Sequence, residues 1–263
     1  MDFDLARQVI LITGAGSGIG QAIALAFAKE GAQILVNDLD EEHCGETIAM
    51  LRQLGARAHA EPFDVSDLAA VRAAGAGIAA RHGGVDVLVN NAAVLLANQL
   101  FVDTDPADCD REIKVGLYGT LHCSRVFLPN MIARGAGKVI NIVSDAARVG
   151  QQRESTYSCA KGGVISFTKS LAREVGGHGI TVNAVSPAAT DTPLRQAMLR
   201  SMAEKLGEAA VASREEKIRR AYPLKKIGTG LDVANAVVFL ASAAAGHVTG
   251  QVISVNGGYV MGG

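Results

Sequence analysis

The sequence predicts an α/β fold, a doubly wound seven-stranded parallel sheet with helices on both faces. Two observations predict it. Short apolar runs alternate with longer segments of helical period along all 263 residues. The runs are continuously apolar rather than alternating, as strands covered on both faces require. Right-handed crossovers then distribute the helices over the two faces. The length suits one large unit with an ample core, and no linker, repeat or low-complexity tract divides it. Residues 1–263 are therefore read as a single domain, with a lid inserted at 188–227.

The first strand, 9–13, contains Val9-Ile10-Leu11-Ile12 and runs straight into Thr13-Gly14-Ala15-Gly16-Ser17-Gly18-Ile19-Gly20. Ile19, Ile23, Ala24 and Phe27 then set a helical period over 18–30. Gly14, Gly16 and Gly18 permit a tight turn close to a pyrophosphate, Gly20 lets helix pack on sheet, and the helix N-terminus faces the negative charge. In this strand–turn–helix context the segment reads as the dinucleotide site of a Rossmann domain.

The second strand, 33–38, ends at Asp38, eighteen residues after Gly20. A carboxylate there can accept from adenosine ribose hydroxyls and repel a 2′-phosphate, or it can N-cap the helix at 41–54. With Asn37 and Ser17 rather than basic residues nearby, the cofactor expected is NAD. The third strand, 57–63, leads to Asp64, which could serve the cofactor or cap the helix at 67–82. The fourth strand, 85–90, precedes a helix at 107–133. The fifth, 138–143, holds Val139-Ile140-Asn141-Ile142-Val143 and delivers Ser144 to the rim of the sheet, where open α/β folds bind ligands. Helix 156–175, strand 180–185, helix 231–242 and strand 251–255 complete the pattern.

Tyr157 and Lys161 are four residues apart, so phenol and ammonium share a helix face. A tyrosine with a pKa near 10 is a poor base, and a nearby cation favours its tyrosinate. Ser144, Tyr157 and Lys161 together could exchange a proton with an alcohol or ketone oxygen.

These residues resemble the short-chain dehydrogenase/reductase family over nearly the whole chain. The likeness rests on the Thr13–Gly20 spacing, Asn90-Asn91-Ala92-Ala93, the Ser144/Tyr157/Lys161 set, Pro187 through Thr192, and Val255-Asn256-Gly257-Gly258. It implies that Tyr157 is the acid/base, that Ser144 holds the substrate oxygen, and that Lys161 tunes the tyrosine and holds the ribose. It further implies cofactor contacts from Gly14, Ser17, Gly18, Ile19, Gly20, Asp38, Asp64, Val65, Asn91, Ala92, Tyr157, Lys161, Pro187, Thr190 and Thr192. It also implies a homotetramer. Gly116 stands where the family usually has an asparagine whose carbonyl holds a relay water in a bent helix. Glycine keeps that carbonyl, so the relay either survives or is lost with slower turnover.

The reaction implied is interconversion of a secondary alcohol and a ketone. The segments from Ser144 and from Tyr157 are similar to those of bacterial dehydrogenases of cyclic hydroxyacyl-CoA esters such as 2-hydroxycyclohexanecarboxyl-CoA. A 3-oxoacyl thioester reductase, a plain alcohol dehydrogenase and a non-catalytic NAD-binding member are the alternatives.

The net charge of −1 opposes a nucleic-acid surface, and no apolar stretch reaches a membrane span of about 18 residues. The acidic start, Met1 to Asp4, shows no secretory signal, so a cytoplasmic protein with reduced cysteines and no metal is expected. The lid is basic: Thr192 to Lys226 holds nine Lys or Arg against four Glu. Leu194, Met198, Met202 and Leu206 predict an amphipathic helix over the pocket. Its charge is either a solvated face or a clamp for an anionic substrate, with Arg148 and Arg153 assisting.

Overall fold

The computed structural model describes residues 3–261; Met1, Asp2, Gly262 and Gly263, the ends of the acidic start and of the glycine-rich tail, lie outside them. Seven parallel strands form the sheet in the order β3 (Ala58–Ala60), β2 (Gln33–Val36), β1 (Val9–Ile12), β4 (Val87–Asn90), β5 (Gly137–Ile142), β6 (Ile180–Pro187) and β9 (Val252–Val255). The order reverses between β1 and β4, the switch point at which doubly wound sheets bind ligands.

Why the strands read as unbroken apolar runs is plain from the core. Successive residues point to opposite faces, and both faces are covered. Ile10, Ile12, Ile34, Val36 and Val89 pack against α1 (Gly18–Lys29), α2 (Glu41–Gln53) and α10 (Gly230–Ala241). Leu11, Leu35, Leu88, Val139 and Val182 pack on the opposite side against α3 (Leu68–His82), α5 (Gly119–Arg134) and α7 (Ser155–Val175).

Two expectations are corrected. The single helix expected at 107–133 is α4 (Pro106–Ile113), a π-helical turn (Lys114–Tyr118) and α5. The π turn brings Gly119 so close to β3–α3 that a Cβ there would lie 2.7 Å from Val65 Cγ2. The lid holds two helices, α8 (Pro193–Leu206) and α9 (Glu208–Ala221), rather than one, joined at Gly207 with φ +84°. Two-residue strands β7 (Thr190–Asp191) and β8 (Gly228–Thr229) pair in parallel and clip the base of this hairpin. A short helix, α6 (Ala146–Val149), also lay beyond the sequence reading.

Candidate active site

A cleft of about 740 Å³ opens at the carboxyl ends of the central strands. Its floor is the glycine turn. Gly14 and Gly18 both have φ +60°, and a Cβ on Gly16 would fall 2.2 Å from the His43 carbonyl. Ser17 caps α1 with no side-chain hydrogen bond and no acidic residue follows in its first turn, so the leading N–H groups are left for an anion. Asn91 locks the turn by donating from Nδ2 to the carbonyls of Thr13 and Gly14, both at 2.9 Å. Thr13 Oγ1 accepts in return from the N–H groups of Asn91 and Ala92. The turn and the uncapped helix start fit a nicotinamide dinucleotide.

Asp38, Asp64 and Val65 line the same cleft, but neither aspartate caps a helix. Asp40 caps α2 and Asp67 caps α3. Asp38 Oδ2 instead accepts the Gly16 N–H at 3.0 Å, so this carboxylate and the glycine turn are one assembly. Asn37 is turned inward, with Nδ2 donating to the carbonyls of Glu61 and Phe63. Asp64 Oδ1 accepts from the Ser66 backbone and hydroxyl in a local turn.

Farther along, Ser144 follows β5, and Tyr157 and Lys161 sit on the first two turns of α7; all three line the cleft. Lys161 is buried and donates from Nζ to the Ile142 carbonyl at 2.7 Å, with its ammonium 5.9 Å from the Tyr157 ring centroid. Burial pulls the lysine down from its ordinary range to about 8. Burial also pushes the phenol up to about 12, against the opposing pull of its hydrogen bond with Ser144. The expected lowering of the tyrosine by Lys161 is thus not what dominates. In this environment the phenol is held as a proton donor.

The carboxylate of Asp145, next to Ser144, is buried and accepts from Ser186 Oγ and Asn256 Nδ2, both at 2.6 Å. Arg148 approaches it at 3.7 Å and also donates to Ser254. This network fixes the β5 end against β6 and β9.

The sequence profile of the family described as enoyl-(acyl carrier protein) reductase matches residues 14–260. A 3-oxoacyl-[acyl-carrier-protein] reductase from Thermotoga maritima is 35% identical, over 98% of this chain and 99% of its own. Nodulation protein G of a Rhizobium species is 37% identical over 98% of this chain and 99% of its own. The crystal structure of a gluconate 5-dehydrogenase from Burkholderia cenocepacia, in complex with NADP and tartrate, superposes with a TM-score of 0.89 at 33% identity, covering 98% of this chain and 97% of that one. The chain is a short-chain dehydrogenase/reductase.

In this dehydrogenase/reductase, Gly14, Ser17, Gly18, Ile19, Asp38, Asp64, Val65, Asn91, Ala92, Ser144, Tyr157, Lys161, Pro187, Thr190 and Thr192 are brought together around the cleft. Gly20 is not among its lining residues. A Cβ there would meet the Gly14 carbonyl at 2.3 Å, so its part is to let α1 close on β1. Gly116 also lies off the cleft, in the π turn, where its carbonyl accepts the Thr120 hydroxyl at 3.4 Å. Arg148 belongs to the Asp145 network rather than to the pocket. The lid stripe is not buried: Leu194 is 74% and Leu206 64% exposed. Sequence reasoning missed Leu95, Arg111 and Lys114, which line the cleft, and the carboxyls of Glu112 and Glu154 near Tyr157. For Glu154 the signal was its place one turn before Tyr157; for Glu112 there was none.

Proposed function

We propose that this oxidoreductase interconverts a secondary alcohol and a ketone with NAD(H), on an acyl thioester substrate. The observation that carries the reading is the convergence of Ser144, Tyr157 and Lys161 on one rim of a cleft whose other end is the glycine turn. In reduction, Ser144 donates a hydrogen bond that holds the ketone oxygen, and the Tyr157 phenol gives that oxygen its proton. In oxidation the tyrosinate form of Tyr157 takes the proton from the alcohol. The nicotinamide, when bound, supplies or accepts the hydride at the carbinol carbon. Lys161 and Asp38 would hold its two riboses. Gly14, Ser17, Gly18 and Ile19 would cradle the pyrophosphate, and Asp64 and Val65 would flank the adenine. Asn91 and Ala92, with Pro187, Thr190 and Thr192, would enclose the nicotinamide end. NAD is favoured because Asp38 places a carboxylate where a 2′-phosphate would need a cation.

Two substrates are in contention. Local motifs favour a cyclic hydroxyacyl-CoA, whereas the relatives named 3-oxoacyl-[acyl-carrier-protein] reductase favour a linear 3-oxoacyl thioester. The exposed Leu95 and Leu194 at the rim of the cleft suit the acyl part of either. The test is consumption of NADH with acetoacetyl-CoA and with 2-oxocyclohexanecarboxyl-CoA. Oxidation of NADH by neither, nor by simple ketones, would favour the non-catalytic reading. Assembly as a homotetramer belongs to the same proposal, and the exposed Tyr118 and Ile132 on the π turn and α5 offer it apolar surface.

A further inference from the structure

The buried carboxylate of Asp145 lies between Ser144 and the segment that follows β6 along the cleft. Asp145 begins α6, yet its side chain makes no capping hydrogen bond there. Main chain and side chain instead clasp the end of β6 together. The Asp145 N–H donates to the Pro187 carbonyl at 3.0 Å, and Oδ1 accepts the Ser186 hydroxyl at 2.6 Å. Ser186 is wholly buried, and Pro187 lines the cleft. Toward the reacting side, Ser144 Oγ accepts the N–H of Ala146 at 3.2 Å. The direction of the serine hydroxyl is therefore set by the peptides that flank Asp145.

The other carboxylate oxygen is held from the far end of the chain. Asn256, just past β9, donates from Nδ2 to Asp145 Oδ2 at 2.6 Å. Its amide cannot turn over, because Oδ1 accepts the Gly258 N–H at 2.9 Å and Nδ2 also reaches the Val260 carbonyl at 2.9 Å. That turn needs its glycines: Gly257 and Gly258 have φ +60° and +87°, and a Cβ on Gly258 would lie 2.7 Å from Pro223 Cγ. A buried carboxylate is costly unless donors meet it, and charge-assisted bonds this short hold geometry firmly.

We infer that Asp145 is a positioning residue, oriented by Asn256, that bolts Ser144 to Ser186 and Pro187 and so fixes the substrate carbonyl against the nicotinamide for hydride transfer. This rests on the proposed oxidoreductase reading. The paired ladder of β5 and β6 ends at Ile142 and Val185, and Asp145 carries the join onward to the rim of the cleft. The segment beyond Pro187 is steadied separately by Tyr222, whose hydroxyl accepts the Ala189 N–H at 3.1 Å. In reduction a hydride leaves the reduced nicotinamide for the carbonyl carbon and the phenolic proton goes to the oxygen, so the ketone becomes an alcohol and the nicotinamide is oxidised. That step tolerates little displacement, whereas the glycine turn and Asp38, at the other end of the cleft, do not depend on the bolt.

The experiment is single-turnover oxidation of enzyme-bound NADH on mixing with acetoacetyl-CoA, beside NADH binding followed by its fluorescence. Asn256→Asp sets a second carboxylate against that of Asp145, and like charges so close push apart. The hydride step should slow by about 10- to 100-fold while the NADH dissociation constant stays within about twofold. The exchanged pair, Asp145→Asn with Asn256→Asp, again faces an amide donor with a carboxylate and keeps an acceptor for Ser186; it should recover most of the rate. Asn256→Ala, which takes the donor from Asp145 Oδ2, should slow the step in the same sense and carries the test if Asn256→Asp fails to fold. A wild-type hydride step in either single variant, no recovery in the exchanged pair, or NADH affinity that falls in step with the rate would overturn the inference while leaving the reaction intact. Wild-type enzyme that oxidises bound NADH with neither acetoacetyl-CoA nor 2-oxocyclohexanecarboxyl-CoA would instead overturn the reaction reading.

Discussion

At the residue scale, Lys161 shows function set against stability. Its ammonium is buried with one carbonyl for company, and its folded-state pKa is about 8 against an ordinary 10.5. The stability contributed by this group is therefore present above 10.5 and lost as pH falls through about 8. At neutral pH the buried cation is a cost. Lys161→Met should leave the unfolding midpoint at neutral pH equal or higher while turnover falls by about 100-fold or more; a clearly lower midpoint would contradict the burial argument. Tyr157 has the opposite sign, with stability present below 10 and lost toward about 12. Tyr157→Phe should keep fold and cofactor affinity and lose roughly 100-fold or more in turnover. For Asp38 the expected preference is NAD over NADP by at least about tenfold in kcat/KM. Asp38→Asn keeps an acceptor for the Gly16 N–H and should shrink that preference, as paired assays with the two cofactors would reveal.

At the element scale, the π turn and the lid are where local pattern and tertiary structure part. The strands were legible because residues buried on both faces leave an unbroken apolar signature, and Ser144, Tyr157 and Lys161 followed from strand end and helix spacing. A π turn adds one residue to a turn without altering composition, so the helical period of 107–133 did not announce it; only the resemblance, through the bent helix at Gly116, pointed there. Glu112 reads as surface on a polar α4, but it is buried where the N–H groups of Leu96 and Ala97 meet its carboxylate and α4 packs on α7. The lid's stripe has the right period, yet Leu194, Met198 and Leu206 stay exposed, and Gly207 stops the helix before a second one begins. Gly116→Asn is sterically mild, since its Cβ would sit 3.4 Å from Ala160 Cβ. It should alter turnover only a few-fold; a large gain would mean the relay had been missing. Arg195 joins α8 to α9 through both Glu215 oxygens at 2.7 Å. Glu215→Gln should speed proteolysis within 193–221 while the unfolding midpoint of the sheet stays put.

At the scale of the whole molecule, the lid's charge is partly cancelled from within, because Arg195, Arg219 and Arg220 are paired with Glu215 and Glu216. If the remaining cations steer an acyl-CoA, its kcat/KM should fall as salt rises while that of a short neutral ketone holds steady. Equal slopes would return the charges to ordinary solvation. Light scattering should give a tetramer at micromolar concentration, and a monomer would refute the proposed assembly. Asn256 reaches back 111 residues to the carboxylate beside Ser144. A ribosome releases the glycine turn well before that asparagine. A nascent chain can therefore shape its nucleotide cleft long before the serine's neighbourhood is settled. Catalytic competence then trails the glycine turn in synthesis, and a copy cut short before Asn256 is left holding a cofactor site with no tuned chemistry beside it.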